Sequence, residues 1–475
     1  MTTLTPQQQT ALNSIIMLEK HYNNVKNLRN DNKQAYTLPG TDLSDWKNTY
    51  YPQLVQSGFV RDGSFFQNPV SNPNYGIGAD GGFTKYEYVQ YLWSAYKYVP
   101  TDFSANSGVK YIKKCIDMLE PYVVSFQNRG TGTADIHRLN ATDMQTWKYE
   151  YYPYFSKSGL IPDGAFFGDI AAQPNYGIGA DGAFAGEELC HFLYKLYKLA
   201  HTVINKNIPS WRVLFLLCKH TGFNGTRIDL SAQDIIDMKN AMRRFQNFIF
   251  AFSGANVSME VETRELDYEV PLRKIADDDY MIHIGDISEK NYDDGWKYVY
   301  ENSMDFAVYY ARFGQFPTKW LAMTRFGIIG GKNFSFINLK GLEGISNDKY
   351  LEPTDIYPFP EECGVHEACH VFQRVIEELF KAGTLANPDN ASKYGYKNET
   401  PSAPIGGFHT FYKDIISANV KDPTTGTLIG IKPEMWANTM RKYNDSRTAA
   451  SAKSALSANE QPVVTNVTTH IREMP

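Results

Sequence analysis

The chain has 475 residues, and a prior of roughly 150 residues per domain gives about three domains. Hydrophobic residues make up 43% and charged residues 21%, the mixture of a globular protein with enough length to bury a core. The net charge of -5, with no block of like charge, leaves no electrostatic footprint for nucleic acid.

Aromatic content is 14%, with 32 Tyr and 28 Phe, which points to aromatic cores or adhesive aromatic surfaces. Met1 to Pro6, followed by three glutamines, has neither the basic start nor the apolar run of a signal peptide. The longest apolar stretch, Val213 to Cys218, is too short to span a bilayer. A soluble chain without a membrane span is expected, cytoplasmic by default, with non-classical export as the other route. Cys115, Cys190, Cys218, Cys363 and Cys369 are odd in number and irregular in spacing, so reduced thiols are expected rather than a disulfide framework.

The first half of the chain is duplicated. Trp46, Tyr50, Tyr51, Pro52, Gly58, Asp62 and Gly63 recur as Trp147, Tyr151, Tyr152, Pro153, Gly159, Asp163 and Gly164, at a constant offset of 101 residues. Pro73 to Gly81 returns identically as Pro174 to Gly182, and Met17-Leu18-Glu19 returns as Met118-Leu119-Glu120. Each copy reads as helix, long turn-rich loop, helix. The first helix is expected over Gln8 to Leu28, where Leu12, Ile15, Ile16 and Leu18 repeat at near-helical spacing. Asp80 and Asp181 are N-cap candidates for the second helices, and Thr84 with Glu87 has capping-box spacing. The aromatic stripe Tyr88, Tyr91, Trp93, Tyr96 is expected in the core.

The Gly-x-Gly runs at Gly76 and Gly78, and at Gly177 and Gly179, lack the oxygen ligands of a calcium loop and the Lys-Ser/Thr of a phosphate loop. They read as turns before capped helices.

More helix is expected from Trp211 to Phe252, with Ile235, Ile236, Met238, Ala241, Met242, Phe245, Phe248 and Ile249 as its apolar face. Period-two alternation then predicts strands at Val257-Met259-Val261, at Tyr280-Ile282-Ile284, and over Asn333 to Leu339. From Asn444 the composition turns to Ser, Ala, Thr and Asn, the texture of a helix running out into a flexible tail.

The segment Gly364-Val365-His366-Glu367-Ala368-Cys369-His370 carries the chemistry. Two histidines four apart on a helix share a face, one turn from each other, as two ligands of one zinc ion must. Glu367 stands beside them, placed to move a proton during hydrolysis. Val371, Phe372, Val375, Ile376 and Leu379 would bury the following turns. The strand upstream would hold an extended peptide by β-pairing.

The pentapeptide and its context resemble the zincin clan of zinc metallopeptidases. The resemblance covers His366 to His370, extends loosely over Asn333 to Asp414, and covers none of the duplicated half. It implies His366 and His370 as zinc ligands and Glu367 as general base and acid. Gln373 stands where the extended metzincin pattern has Gly, with no His three residues on, so that branch is not matched. Glu377 and Glu378 lie roughly 10 Å along the same helix from His370, beyond reach of a shared ion. Candidates for the third ligand are His409, Asp414, Glu399 and Asp389. His409 is preferred, at the mouth of a helix after Gly406-Gly407, with Asp414 as a supporting partner. Tyr412 is a candidate for stabilising an oxyanion. Cys363 and Cys369 flank the motif, where a thiolate would compete for the metal, but small buried packing residues are the expected reading.

The expectation is therefore an α+β, multidomain protein. Residues 1–108 and 109–210 form two homologous α-rich modules, 211–443 a zincin-like region with a small sheet and the HExxH helix, and 444–475 a low-complexity tail. The expected function is a zinc-dependent metallopeptidase that attacks peptide bonds with zinc-bound hydroxide. Its partners are a peptide or protein substrate, with self-association or partner binding through the modules. The alternative is a non-enzymatic assembly protein built on the tandem modules, carrying an inactive zincin-like domain.

Overall fold

The duplication has a direct structural counterpart. In the computed structural model, which describes residues 4–28, 34–58, 80–126, 137–161, 182–184, 186–283, 304–317, 320–329, 332–338, 361–396, 408–437 and 469–473, both copies fall within one compact unit. That unit comprises 1–105 and 109–207; the second comprises 106–108 and 208–475. Helix and sheet are mixed, as an α+β chain requires, and no described helix is long and apolar enough to cross a membrane.

In the first copy, α1 (Pro6–Glu19) opens with a Thr5–Gln8 capping box and ends well short of Leu28, a separate short helix following at Tyr22–Lys26. Helix α2 (Lys85–Tyr98) is capped by Thr84 with Glu87 reaching back, so the capping box and not Asp80 starts it. Asp80 instead accepts from the Gly82 amide and turns the chain into a short strand pair, Tyr36 opposite Phe83. The second copy repeats the pair as His137 opposite Phe184, between α3 (Ser107–Phe126) and α4 (Gly186–Lys206).

The Tyr-Tyr-Pro segments, expected as loop, are helical. Trp46–Tyr50 and Trp147–Tyr151 are π-helical turns that run straight into Tyr51–Gln56 and Tyr152–Lys157. Pro52 and Pro153 have no amide to donate one α-turn back and would clash there, and the wider turn relieves both problems. The Gly-x-Gly segments lie outside the described residues.

The aromatic stripe is core, as expected. Trp46 meets Phe83 and Tyr91 edge-on at 5.1 and 5.0 Å, and Trp147 meets Phe184 and Phe192 at 5.0 and 4.9 Å. The two copies also lock to each other reciprocally. Glu19 accepts from its own Tyr96 (3.0 Å) and pairs with Lys198 of the other copy (2.8 Å). Glu120 accepts from Tyr197 (2.9 Å) and pairs with Lys97 (3.1 Å).

The second unit is built on an eight-stranded sheet. Its strands are β1 (Ser210–Phe223), β2 (Thr226–Asp229), β3 (Ser258–Ala276), β4 (Asp279–Ile282), β5 (Phe306–Ala311), β6 (Trp320–Ile329), β7 (Lys332–Asn338) and β8 (Thr469–Glu473). The order is β8-β6-β7-β5-β1-β3-β4, with β2 paired to β1. β7, β5, β1 and β3 run parallel; β6, β8, β4 and β2 join antiparallel.

Helix is therefore not found from Trp211; it begins at Ala232, in α5 (Ala232–Phe252). Val213 to Cys218 is fully buried between parallel neighbours, and a strand covered on both faces reads as an unbroken apolar run rather than an alternating one. On one face Leu214, Leu216, Ala307 and Tyr309 join Leu266, Val270 and Leu272. On the other, Phe215 packs edge-on against Phe245 of α5 at 5.4 Å.

The alternating segments predicted as strands lie in β3, β4 and β7, with Val257 just ahead of β3 and Ile284 and Leu339 outside the described residues. β7 pairs on both sides, with β5 and β6, so it has no edge to offer a peptide. Thr469–Glu473, placed in a flexible tail by composition, is an edge strand of this sheet.

Candidate metal centre

The HExxH residues lie on α6 (Glu362–Gln373), which packs on β6 and β7. Val365, Ala368, Val371 and Phe372 form its buried face, and Phe372 sits edge-on between Trp211 (5.3 Å) and Trp436 (5.2 Å). Val375 and Ile376 continue the buried stripe into a π-helical turn over Arg374–Leu379. The start of α6 is fixed from α5. The Arg244 guanidinium donates through Nε (2.8 Å) and Nη2 (3.2 Å) to the two carboxylate oxygens of Glu361, the N-cap residue. Both side chains are buried, at 8% and 0% exposure.

One helical turn separates the two histidines and brings their rings together. The His366 and His370 rings converge, with centroids 4.8 Å apart and Nε2 atoms 3.1 Å apart. Glu367 Oε1 lies 3.8 Å from His366 Nε2. Among the described residues, these three side chains form a group able to hold a metal ion.

A further donor comes from Asp389, whose Oδ1 lies 3.4 Å from both Nε2 atoms. Asp389 sits in a 3-10 turn, Pro388–Tyr394, that begins where Asn387 accepts from the Asp389 amide at 2.9 Å and ends on Gly395 at a φ of +86°. Tyr394 and Tyr396 pack on Phe411 (5.7 and 4.9 Å), tying this turn to α7 (Phe408–Ile416).

Helix α7 also delivers Tyr412, whose hydroxyl is 2.8 Å from His366 Nδ1. This contact lies on the edge of the ring away from the Nε2 pair, so it orients the imidazole. With Nδ1–H donating to the hydroxyl, Nε2 turns its lone pair toward His370 and Asp389.

Of the other third-ligand candidates, His409 is the second residue of α7, but its side chain lies outside the described residues, as does Glu399. Asp414 is engaged elsewhere, accepting from the Tyr396 hydroxyl at 2.7 Å. Asp389 was open to sequence reasoning through the turn signature Asn387-Pro388-Asp389, yet nothing in that signature says where the turn docks.

Cys363 and Cys369 are free and buried. Burial, and then the nearby Glu367 charge, pushes the Cys369 thiol far up from its ordinary range, so it stays a neutral packing group. The His366, Glu367 and His370 side chains are at most 2% exposed, whereas the Asp389 side chain is 26% exposed. Asp389 therefore marks the side from which solvent reaches the cluster.

Comparisons with family models, with curated proteins and with solved structures return no match to this chain.

Proposed function

We propose that the chain is a zinc-dependent peptidase with His366, His370 and Asp389 as metal ligands and Glu367 as the proton-transfer group. The observation that carries this reading is the size of the donor triangle. Its edges are 3.1, 3.4 and 3.4 Å. Ligand atoms at about 2.0–2.1 Å from a tetrahedral zinc stand about 3.3–3.4 Å apart, which is this spacing. Two neutral imidazoles and one carboxylate also match the three-ligand set of catalytic sites that keep a fourth position open. With the Glu367 carboxylate alongside, the charge of the cluster favours a divalent cation over an empty pocket.

Bound there, zinc would polarise a substrate carbonyl and make water a nucleophile near neutral pH. The chain's own groups account for the rest. Glu367, one residue along the helix from His366, accepts the proton of the attacking water and returns it to the departing amine. Tyr412 holds His366 in the tautomer and orientation that leave Nε2 available. Arg244 and Glu361 fix the first turn of α6, so the two imidazoles keep their separation without substrate. The open side at Asp389 is where a peptide would enter.

The test compares the intact chain with Glu367→Gln, each loaded with one equivalent of zinc, on a denatured, fluorescence-quenched protein substrate. The substitution should leave zinc content unchanged and lower hydrolysis by about 10²–10⁴-fold. Equal rates from the two chains, or no hydrolysis by a zinc-loaded intact chain, would overturn the proposal.

A further inference from the structure

An extended peptide drawn to this centre can be held by a strand edge beside it. β7 has both edges filled. The far edge of the sheet, β4, is five strand spacings from β6, roughly 24 Å away. That leaves the outer edge of β6, the strand on which α6 packs.

The chain itself occupies that edge. β8 pairs antiparallel with β6, placing Ala322 opposite Arg472, Met323 opposite Ile471, Thr324 opposite His470 and Arg325 opposite Thr469. β8 also runs beside the turn Pro388–Tyr394, which carries Asp389, the most exposed member of the cluster. An extended backbone laid antiparallel on the sheet, next to the open side of the centre, is the position of a bound peptide.

We infer that Thr469–Glu473 is an intramolecular occupant of the peptide-binding edge, and that a substrate pairs with Trp320–Ile329 only after displacing it. This deepens the peptidase reading and rests on it. It also defines the substrate class. Recognition runs through main-chain hydrogen bonds along β6, so the substrate is an extended, unpaired segment of polypeptide, and a segment already folded into helix or sheet is not accepted. Bound in place, the segment competes with other chains and slows the resting protein without abolishing its action on them.

The test separates binding from hydrolysis. In a Glu367→Gln background, a fluorescein-labelled peptide spanning residues 467–475 is titrated by anisotropy into three chains: the full chain, a chain lacking residues 469–475, and a full chain carrying Ile471→Pro. Proline cannot donate to the ladder and cannot sit comfortably within it. The opened chains should bind one peptide each, about tenfold or more tightly than the full chain, because a tethered competitor has been removed. Should the shortened chain fail to fold by circular dichroism, Ile471→Pro carries the comparison. Equal affinity across all three chains, or no binding to a natively folded opened chain, would overturn the inference. With Glu367 restored, the two readings part. Peptide binding at the opened edge without any hydrolysis removes the peptidase and keeps the edge. Hydrolysis at the same rate in closed and opened chains removes the intramolecular occupant and keeps the peptidase.

Discussion

Replacing Arg244 with Met should damage this protein more than any exposed charge change, and the reason is enclosure. Both guanidinium contacts to Glu361 are short, at 2.8 and 3.2 Å, and the carboxylate they satisfy has no exposed surface. Removing the cation leaves a carboxylate in the interior without its main compensation, a loss of about 3–5 kcal/mol. Against a typical domain stability of about 5–15 kcal/mol this is a large fraction. At about 2–4 °C per kcal/mol for a large domain, the melting temperature should fall by roughly 6–20 °C. The affected residue is the N-cap of α6, five positions before His366, so zinc affinity should fall along with stability.

Calorimetry with and without added zinc should identify the transition of the second unit, which carries the proposed site, as the one that metal raises. A double-mutant cycle with Glu361→Leu then isolates the pair. The Arg244→Met/Glu361→Leu chain should recover most of the loss, because an apolar pair of similar volume removes the stranded charge. Single substitutions costing less than about 1 kcal/mol would mean that the pair behaves as a surface ion pair and that its enclosure adds nothing.

Two other outcomes follow from named contacts. Tyr412→Phe removes the hydroxyl on His366 Nδ1 and keeps the ring packing, so zinc affinity measured by chelator competition should fall by about 10–100-fold with little change in fold; unchanged affinity would deny Tyr412 its orienting role. In the duplicated unit, burial followed by repulsion from Lys26 lowers Lys85 to about 8, and burial followed by repulsion from Lys198 lowers Lys195 to about 8. Folded values below the unfolded ones mean that the unfolded chain binds more protons between about pH 8 and about pH 10.5. Stability should therefore rise with pH from about 8, until the Cys115 thiol and then the tyrosines that burial holds protonated, Tyr22 and Tyr88 among them, begin to ionise in the unfolded chain above about pH 9. Denaturant midpoints measured across that window check the sign, and a midpoint that falls between about pH 8 and 9 contradicts it.

What could be read from the sequence was local. Identical residues at a fixed offset exposed the duplication, and Thr84 with Glu87 announced the helix they cap. His366 and His370 could be placed on one helical face from their spacing alone. What could not be read depends on distant partners. Val213 to Cys218 is apolar on both faces because parallel strands flank it, and an unbroken apolar run does not distinguish that from buried helix. The Tyr-Tyr-Pro turns look like loop because proline usually ends a helix, whereas here a π-turn absorbs it. Asp389 and Thr469–Glu473 are placed by docking against residues far away in sequence, which neither turn chemistry nor composition encodes.

Zinc titration of the purified chain, with X-ray absorption of the bound metal, is the decisive experiment on the proposed centre. One zinc per chain is expected, held by two imidazole nitrogens and oxygen donors at about 2.0–2.1 Å. Binding should be lost in His366→Ala and weakened strongly in Asp389→Ala. No stoichiometric zinc, or zinc held equally well without Asp389, would contradict it.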